Sequence, residues 1–409
     1  MAKKHKKKLK IKNLLIIVVL VVFIIIILPK SKEEDEVVKV DLNTMTKEEI
    51  KAYGDENNKK VNEKYEYNLK VSKDNIISVK EENNEINIVI SKGDYDDDYY
   101  REKKVNEMGK VPIMMYHGII DTEDNQYTGG NVDKNGYKRT AKAFREDLEF
   151  YYKSGYRMIR LEDYIHGIID VPIGYSPIIL TFDDGDADNC KVLSKNDDGT
   201  LQIDPNSAVG IMEEFKKKYP DFNVTATFFV MNGIFNQSKY NQDIVNYLVD
   251  NGYDIGNHTV SHPDFTKITR EQSVKEVGKM YKTLDSLLGD KYVNIIALPF
   301  GSPYKKDHAN YSAILSGIFE GYKYNTEAAL RVGWEPEVSP YNKSFDPTFL
   351  KRCRAYDNNG KEFDIEMVFK NLEKNRYISD GNKERIVIPS SENDKLNSEY
   401  TNVRVYEEV

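Results

Sequence analysis

An α/β fold built on a buried parallel sheet is predicted for the residues beyond about 111, and two features of the sequence predict it. Short apolar runs recur from there to near the C-terminus, as "VPIMMY", "YRMIR", "SPIILTF", "VTATFFV", "YDIG", "VNIIAL" and "RIVI". Amphipathic stretches such as "AFREDLEFYYKSG", "NQDIVNYLVDNG" and "TREQSVKEVGKMYKTLDSLLG" separate them. In the first of these Phe144, Leu148 and Tyr151 share one helical face, and Gly155 can close it. A barrel and a doubly wound sheet fit this alternation equally well, and in both the functional groups gather where strands end and loops begin.

The segments before that domain have their own character. Residues 1–12 form a basic tail of seven lysines and no acid, which leaves −15 of the net −8 on residues 13–409 once those seven charges are set aside. So acidic a body argues against a nucleic-acid partner. Residues 13–29 contain fifteen uninterrupted apolar residues, Leu14 to Leu28, short of the roughly 20 that span a bilayer but extended by flanking lysines that can snorkel. The following "LPKSKEED" has no small-residue cleavage pattern, which favours an uncleaved transmembrane anchor over a signal peptide. Lysines on the cytoplasmic side would then place everything after Lys30 outside the cell, on a single-pass protein of the cell membrane.

Residues 38–93 read as a small α+β domain. "TKEEIKAYGDEN" offers a helix capped by Thr46 with Glu49 three residues on, and "KYEYNLKV", "DNIISVK" and "EINIVISKGD" alternate as strands. The order, and above all "IVISKGD", resembles the PASTA repeat, a resemblance that implies a wall-binding module. Residues 94–108 are a charged linker without periodicity, 109–395 the large α/β domain, and 396–409 a C-terminal tail. Only Cys190 and Cys353 occur, so a disulfide scaffold and a cysteine-based zinc site are excluded while a single bridge stays open.

The chemistry is concentrated in three places. "TFDDGDADN", residues 181–189, sets four aspartates within six positions at the end of an apolar run, and such charges repel unless a cation holds them. Asp183 and Asp184 are neighbours in an extended segment and point to opposite sides, so two different roles are expected. "GNHTVSH" places His258 and His262 four residues apart, where a turn would let both meet one ion. One carboxylate and two imidazoles leave a divalent ion an open position, the layout of a hydrolytic site. "IIALPFGSPY" then turns a backbone outward through Pro299 and Gly301. His166 and His308 have polar neighbours and no motif, and read as structural.

Taken in order, "TFDDG", "HTVSH" and "LPFG" resemble the polysaccharide deacetylases, the carbohydrate esterase family 4 or NodB homology domain, over about residues 111–370. The resemblance implies a distorted (β/α) barrel, with Asp183 as general base and Asp184, His258 and His262 as ligands of a divalent metal, zinc before cobalt, manganese or nickel. It also implies an oxyanion donor in the backbone N–H of Phe300, after Pro299. Two departures stand out. Ala297 occupies the place of an arginine that orients the base, and "RIVIPSSEND" lacks the family's last histidine. "VPIMMYHGI" is similar to the opening of a permuted branch that takes its acid histidine from the N-terminal strand, which implies that His117 is the general acid. Trp334, the only tryptophan, is a candidate for stacking on sugar.

The expected activity is metal-dependent removal of N-acetyl groups from an amino-sugar polymer outside the membrane, of peptidoglycan or poly-N-acetylglucosamine type. The alternatives are O-deacetylation of an acetylated polysaccharide and an inactive wall-binding protein.

Overall fold

The computed structural model of the 409-residue chain describes residues 76–82, 85–90, 95–121, 138–333, 335–356 and 364–408. It has two compact units, residues 1–102 and 103–409. In the first, β1 (Ile76–Glu82) and β2 (Glu85–Ile90) pair as an antiparallel hairpin with Val79 opposite Ile88. These are the second and third of the three strands expected there. The remaining strand, the helix after Thr46 and the apolar run Leu14–Leu28 lie outside the described residues. Among the described residues no helix is long and apolar enough to cross a membrane. The charge run after β2 is helical over α1 (Asp97–Lys103), because Asp96 accepts from the Tyr99 N–H at 2.9 Å and two acidic residues sit at the positive end of the helix dipole.

The second unit is built on a parallel sheet. Its elements begin with β3 (Ile113–Tyr116), the short strands β4 (Gly118–Ile120) and β5 (Lys138–Thr140), and α2 (Ala141–Lys153). Next come β6 (Tyr156–Met158), α3 (Leu161–Ile165), β7 (Ser176–Phe182), the hairpin of β8 (Val192–Lys195) with β9 (Leu201–Ile203), and α4 (Ala208–Lys218). β10 (Thr227–Val230), α5 (Asn241–Asp250), β11 (Asp254–Asn257), α6 (Arg270–Leu288) and β12 (Ile295–Ala297) follow. The chain continues through α7 (Tyr311–Leu315), the hairpin of β13 (Ser316–Phe319) and β14 (Tyr322–Asn325), β15 (Ala328–Leu330) and β16 (Cys353–Arg354). It closes with α8 (Ile365–Leu372), β17 (Ile386–Pro389) and β18 (Val403–Tyr406).

The main sheet runs β15-β12-β11-β10-β7-β3-β16, with β6 paired to the first half of β7. It curls back on itself. Leu350 bridges Leu330 in β15, and three residues later Cys353 pairs with Met114 in β3, so one short segment touches both ends of the sheet. That makes a distorted, partly closed barrel, the arrangement the family resemblance implies. One strand differs from the sequence reading: "RIVI" does not enter this sheet but pairs with β18 in a separate parallel ribbon. The places at the barrel's edge belong to β15 and β16, whose three and two residues are too short to show a period.

Alternation along the strands sorts the core into two layers. Met114, Tyr116, Ile178, Leu180, Phe182 and Phe228 pack under the helices, with the Tyr116, Phe182 and Phe228 rings stacked at 5.3 and 4.9 Å. The intervening residues Ile113, Ile179, Phe229, Ile295 and Leu330 fill the other side, in the barrel. Helix α2 sends Phe144, Leu148 and Tyr151 into the first layer as their spacing predicts, each fully buried and each contributing roughly 1.5–3 kcal/mol. Cys190 and Cys353 are both buried and free.

Candidate metal and catalytic site

Register places the first functional pair. Tyr116 lies opposite Phe182 in adjacent parallel strands, so the next residues, His117 and Asp183, leave the sheet side by side on the barrel face of the alternation. The Asp183 N–H donates to the Tyr116 carbonyl at 2.9 Å, and His117 Nε2 lies 4.0 Å from Asp183 Oδ2. Both side chains are buried. β3 is itself anchored: the Tyr116 hydroxyl donates to Asp147 Oδ2 at 2.9 Å, and Arg139 Nε donates to the same oxygen at 2.8 Å.

Asp183 is held by a residue that sequence reasoning missed. Arg352, fully buried, donates Nη1–H to Oδ1 and Nη2–H to Oδ2, both at 2.7 Å, and its Nε–H to the Arg331 carbonyl at 2.9 Å. Burial alone would raise the Asp183 pKa, but the Arg352 charge, His258, the Arg352 hydrogen bonds and His117 outweigh it, and the carboxyl stays ionised well below the usual range. Arg352 thus holds Asp183 by both oxygens, a contact that Ala297 cannot make. Its sequence context gave no signal, because arginines at 352 and 354 alternating with Cys353 and Ala355 read as the solvent face of a strand.

Asp184 turns the other way. It takes a left-handed backbone, φ 72°, which for a non-glycine residue is uncommon and points to a local function. Thr259, His262 and Phe300 share that conformation at φ 68°, 54° and 58°. The strained turns bring one ligand set together: Asp184 Oδ1 lies 3.3 Å from His258 Nε2 and 3.7 Å from His262 Nε2. The ligand atoms of the three residues all fall within 4.8 Å of one another.

The turn between the histidines is built by its own polar residues. Asn257 Oδ1 accepts from the Thr259 N–H at 2.7 Å, and Thr259 Oγ1 from the His262 N–H at 3.0 Å. Glu276 on α6 accepts from the N–H groups of Val260 and Ser261 at 3.1 and 2.8 Å and from the Ser261 hydroxyl at 2.9 Å.

Whether these residues suit a cation can be tested on His258. Its Nδ1 is 2.8 Å from the Ala297 carbonyl, which fixes that nitrogen as the donor and leaves the Nε2 lone pair facing Asp184. That Nε2 is buried and, despite its proximity to Asp184, has no hydrogen-bond partner. A buried nitrogen without a partner is costly in a folded protein, and a lone pair aimed between a carboxylate and a second imidazole is what a divalent ion takes. The site fits one.

Electrostatics agree. Burial disfavours the Asp184 carboxylate, yet the proximity of His258, with His117, holds its pKa below the ordinary value. Burial likewise opposes protonation of His258, but Asp183, Asp184 and the Ala297 carbonyl raise its pKa. His262 is lowered by burial and by His258, and His117 by burial that Asp183 and Asp184 offset only in part. The other two aspartates of "TFDDGDADN" are balanced by Lys138, hydrogen-bonded to Asp186 and 3.5 Å from Asp188. The protein's own cations therefore answer Asp183, Asp186 and Asp188, and Asp184 is the aspartate left for a metal.

Pro299 starts a turn at the end of β12, and its carbonyl accepts both the N–H and the hydroxyl of Ser302 at 3.0 Å. Phe300 beyond it is 53% exposed, with its ring edge-on to His262 at 4.6 Å. Its N–H donates to no acceptor among the described residues. Trp334 lies outside the described residues. His166 pairs with Glu327 at 3.2 Å, and His308 Nδ1 accepts from the Asn310 N–H at 3.2 Å, local roles that match their reading as structural.

Residues 172–315 match the profile of the family described as polysaccharide deacetylase. In sequence this stretch is similar to the polysaccharide deacetylases. The chain is 30% identical over 118 residues to a peptidoglycan-N-acetylglucosamine deacetylase of Bacillus cereus, covering 29% of this chain and 34% of that protein. A putative polysaccharide deacetylase of Bacillus subtilis is 20% identical over 202 residues, 48% of this chain and 59% of the other. The chain thus spans about a third and about three fifths of the lengths of these two relatives. A Streptococcus pyogenes deacetylase solved with acetate superposes with a TM-score of 0.45 at 20% identity, over 65% of this chain and 98% of the other. The matched stretch contains Asp183, Asp184, His258, His262, Pro299 and Phe300. His117 and Arg352 come from outside it, before and after, and reach Asp183 through β3 and the approach to β16.

Proposed function

We propose that the protein is a metal-dependent deacetylase that hydrolyses N-acetyl groups on an amino-sugar polymer. The observation that carries this reading is the junction of two clusters: the ligand set Asp184, His258 and His262 stands directly beside Asp183, which Arg352 grips and His117 faces. The matched family and the Bacillus cereus relative's name support the same reaction class.

A divalent cation on Asp184, His258 and His262, zinc first among zinc, cobalt, manganese and nickel, would supply a Lewis acid that makes water acidic enough for a weak base and polarises the acetyl carbonyl. Asp183, kept ionised and immobile by the Arg352 fork, accepts the proton of the attacking water. The free N–H of Phe300 is a donor for the developing oxyanion. His117 gives its proton to the departing nitrogen, which is a poor leaving group unless protonated. This assignment puts the acid on the N-terminal strand, as in the permuted branch that "VPIMMYHGI" resembles.

The apolar residues 13–29, read as a membrane anchor, would hold the site outside the cell, where wall glycan or poly-N-acetylglucosamine is the nearest N-acetylated polymer. Acetate release from chitooligosaccharides, peptidoglycan and acetylxylan, each with and without chelator, tests the reading. Chelator-sensitive release from the first two supports it. Release from acetylxylan alone would make the protein an O-deacetylase, and release from none would leave a wall-binding role.

A further inference from the structure

The residues that continue the aspartate motif, Asp186 to Asn189, take no part in the chemistry proposed above, yet they converge on the segment that carries His117. Asn189 is fully buried and donates Nδ2–H to the His117 carbonyl at 2.7 Å. Asp188 Oδ1 accepts the Ile119 N–H at 3.1 Å. Lys138, in β5 beside Gly118, bonds Asp186 and lies 3.5 Å from Asp188. Three contacts thus run from one four-residue turn to residues 117–119 and their paired strand.

The turn is fixed from behind. The Asn189 N–H donates to the Asp186 carbonyl at 3.0 Å, and the carbonyls of Asp188 and Asn189 accept from Ala208 and Val209 at the start of α4, at 3.1 and 2.9 Å. Space is made for the tether as well: a Cβ on Gly118 would stand 2.1 Å from Lys138 Nζ and 2.6 Å from its Cδ, so a larger residue there would push the lysine stem aside from its path next to His117. Asn189 Oδ1 is buried with no partner. An amide that binds with only one end stabilises the fold poorly, which points to a role in placing what that end holds.

We propose that the 186–189 turn is a clamp that sets the distance between His117 and Asp183, with Asn189 as the principal positioning residue and Lys138 as its tether. Asp183 and Asn189 lie on the same rigid exit from β7, so the clamp indexes the proton donor to the base through one short stretch of chain. The inference rests on the reading of His117 as the general acid. A donor displaced by about 1 Å can lower a rate by 10².

The test compares two substrates with the full-length protein. N-acetylchitooligosaccharide has an amine leaving group that needs a proton, whereas 4-nitrophenyl acetate releases a phenolate that does not. Asn189→Leu is expected to lower the ratio of amide to ester turnover about tenfold or more, with bound metal per chain as in the wild type. In a His117→Ala background the same substitution should shift the ratio less than twofold, because the group it places is gone. Lys138→Met, at the edge of the site, should shift the ratio in the same direction and stands in if Asn189→Leu fails to fold. Equal loss on both substrates, or an undiminished effect in the His117→Ala background, overturns the clamp. If His117→Ala moves the ratio and neither clamp variant does, the clamp alone is wrong. If His117→Ala leaves the ratio unmoved, the acid assignment itself is what fails.

Discussion

Arg352 and Asp183 form a two-bond fork, 2.7 Å on each arm, between groups that are both shut off from solvent. They are 169 residues apart in sequence, and the contact joins the exit of β7 to the segment that touches both ends of the barrel sheet. The same interaction holds the candidate base ionised and helps close the barrel.

Removing one partner should therefore be costly. Arg352→Met strands a buried carboxylate, for which about 3–5 kcal/mol of stability is the usual loss. The double variant Arg352→Met with Asp183→Leu removes both charges and is expected to regain most of that loss while staying inactive. Urea unfolding of wild type and of each single and double variant measures this. A double variant no more stable than Arg352→Met would show that the fork does not govern the effect.

Much of the site was legible because its residues sit in compact motifs on strong strands. Asp183, Asp184, His258, His262 and Phe300 each follow an apolar run, and the structure gathers them at the exits of β7, β11 and β12. His117 was found by resemblance alone, and its place beside Asp183 depends on the register of β3 against β7, which no local pattern encodes. Arg352 was illegible for a further reason: it enters the barrel from a segment with a two-residue strand, where polar residues face inward toward the site instead of outward to water. The fold followed the same rule. Long amphipathic helices and buried strands were evident, whereas β15 and β16 are defined by long-range pairing that a sequence window does not contain.

The metal ligands make a separable prediction. Asp184→Asn, His258→Ala and His262→Ala should each reduce bound metal after dialysis to a small fraction of the wild-type content, and chelation of the wild type should lower its melting temperature, since an ion that binds only the folded state stabilises it. Elemental analysis and thermal melts with and without zinc report both. Undiminished metal content in all three variants would place the ion elsewhere.

Glu276 lets the support of the ligands be probed without touching one. It accepts three hydrogen bonds from Val260 and Ser261, inside the turn between the histidines. Glu276→Ala should free that turn and weaken metal affinity about 10- to 100-fold, the cost of losing an outer support of a ligand. Competition with a chromophoric chelator gives the affinity, and faster amide exchange at residues 259–262 should accompany the loss. Weakened binding without faster exchange would point to a different cause.

Acid should also act on a surface cluster on α2. Glu149 on α2 accepts from the Tyr219 hydroxyl at 2.7 Å and from Lys218 at 3.1 Å, and pairs with Lys153 at 3.0 Å, tying α2 to the end of α4. Burial alone would raise its pKa, but these three partners together outweigh it and bring the carboxyl from 4.5 down to about 2. A carboxyl lowered on folding stabilises the native state above its unfolded pKa and loses that contribution as pH falls through its folded one. Glu149→Gln should therefore cost about 1 kcal/mol or less at pH 7, as expected of a screened surface cluster, and the gap to wild type should close between about pH 4.5 and 2. Urea midpoints of the two proteins across that range measure the gap. A difference that stays constant down to pH 2 would mean the side chain acts by packing and not by charge.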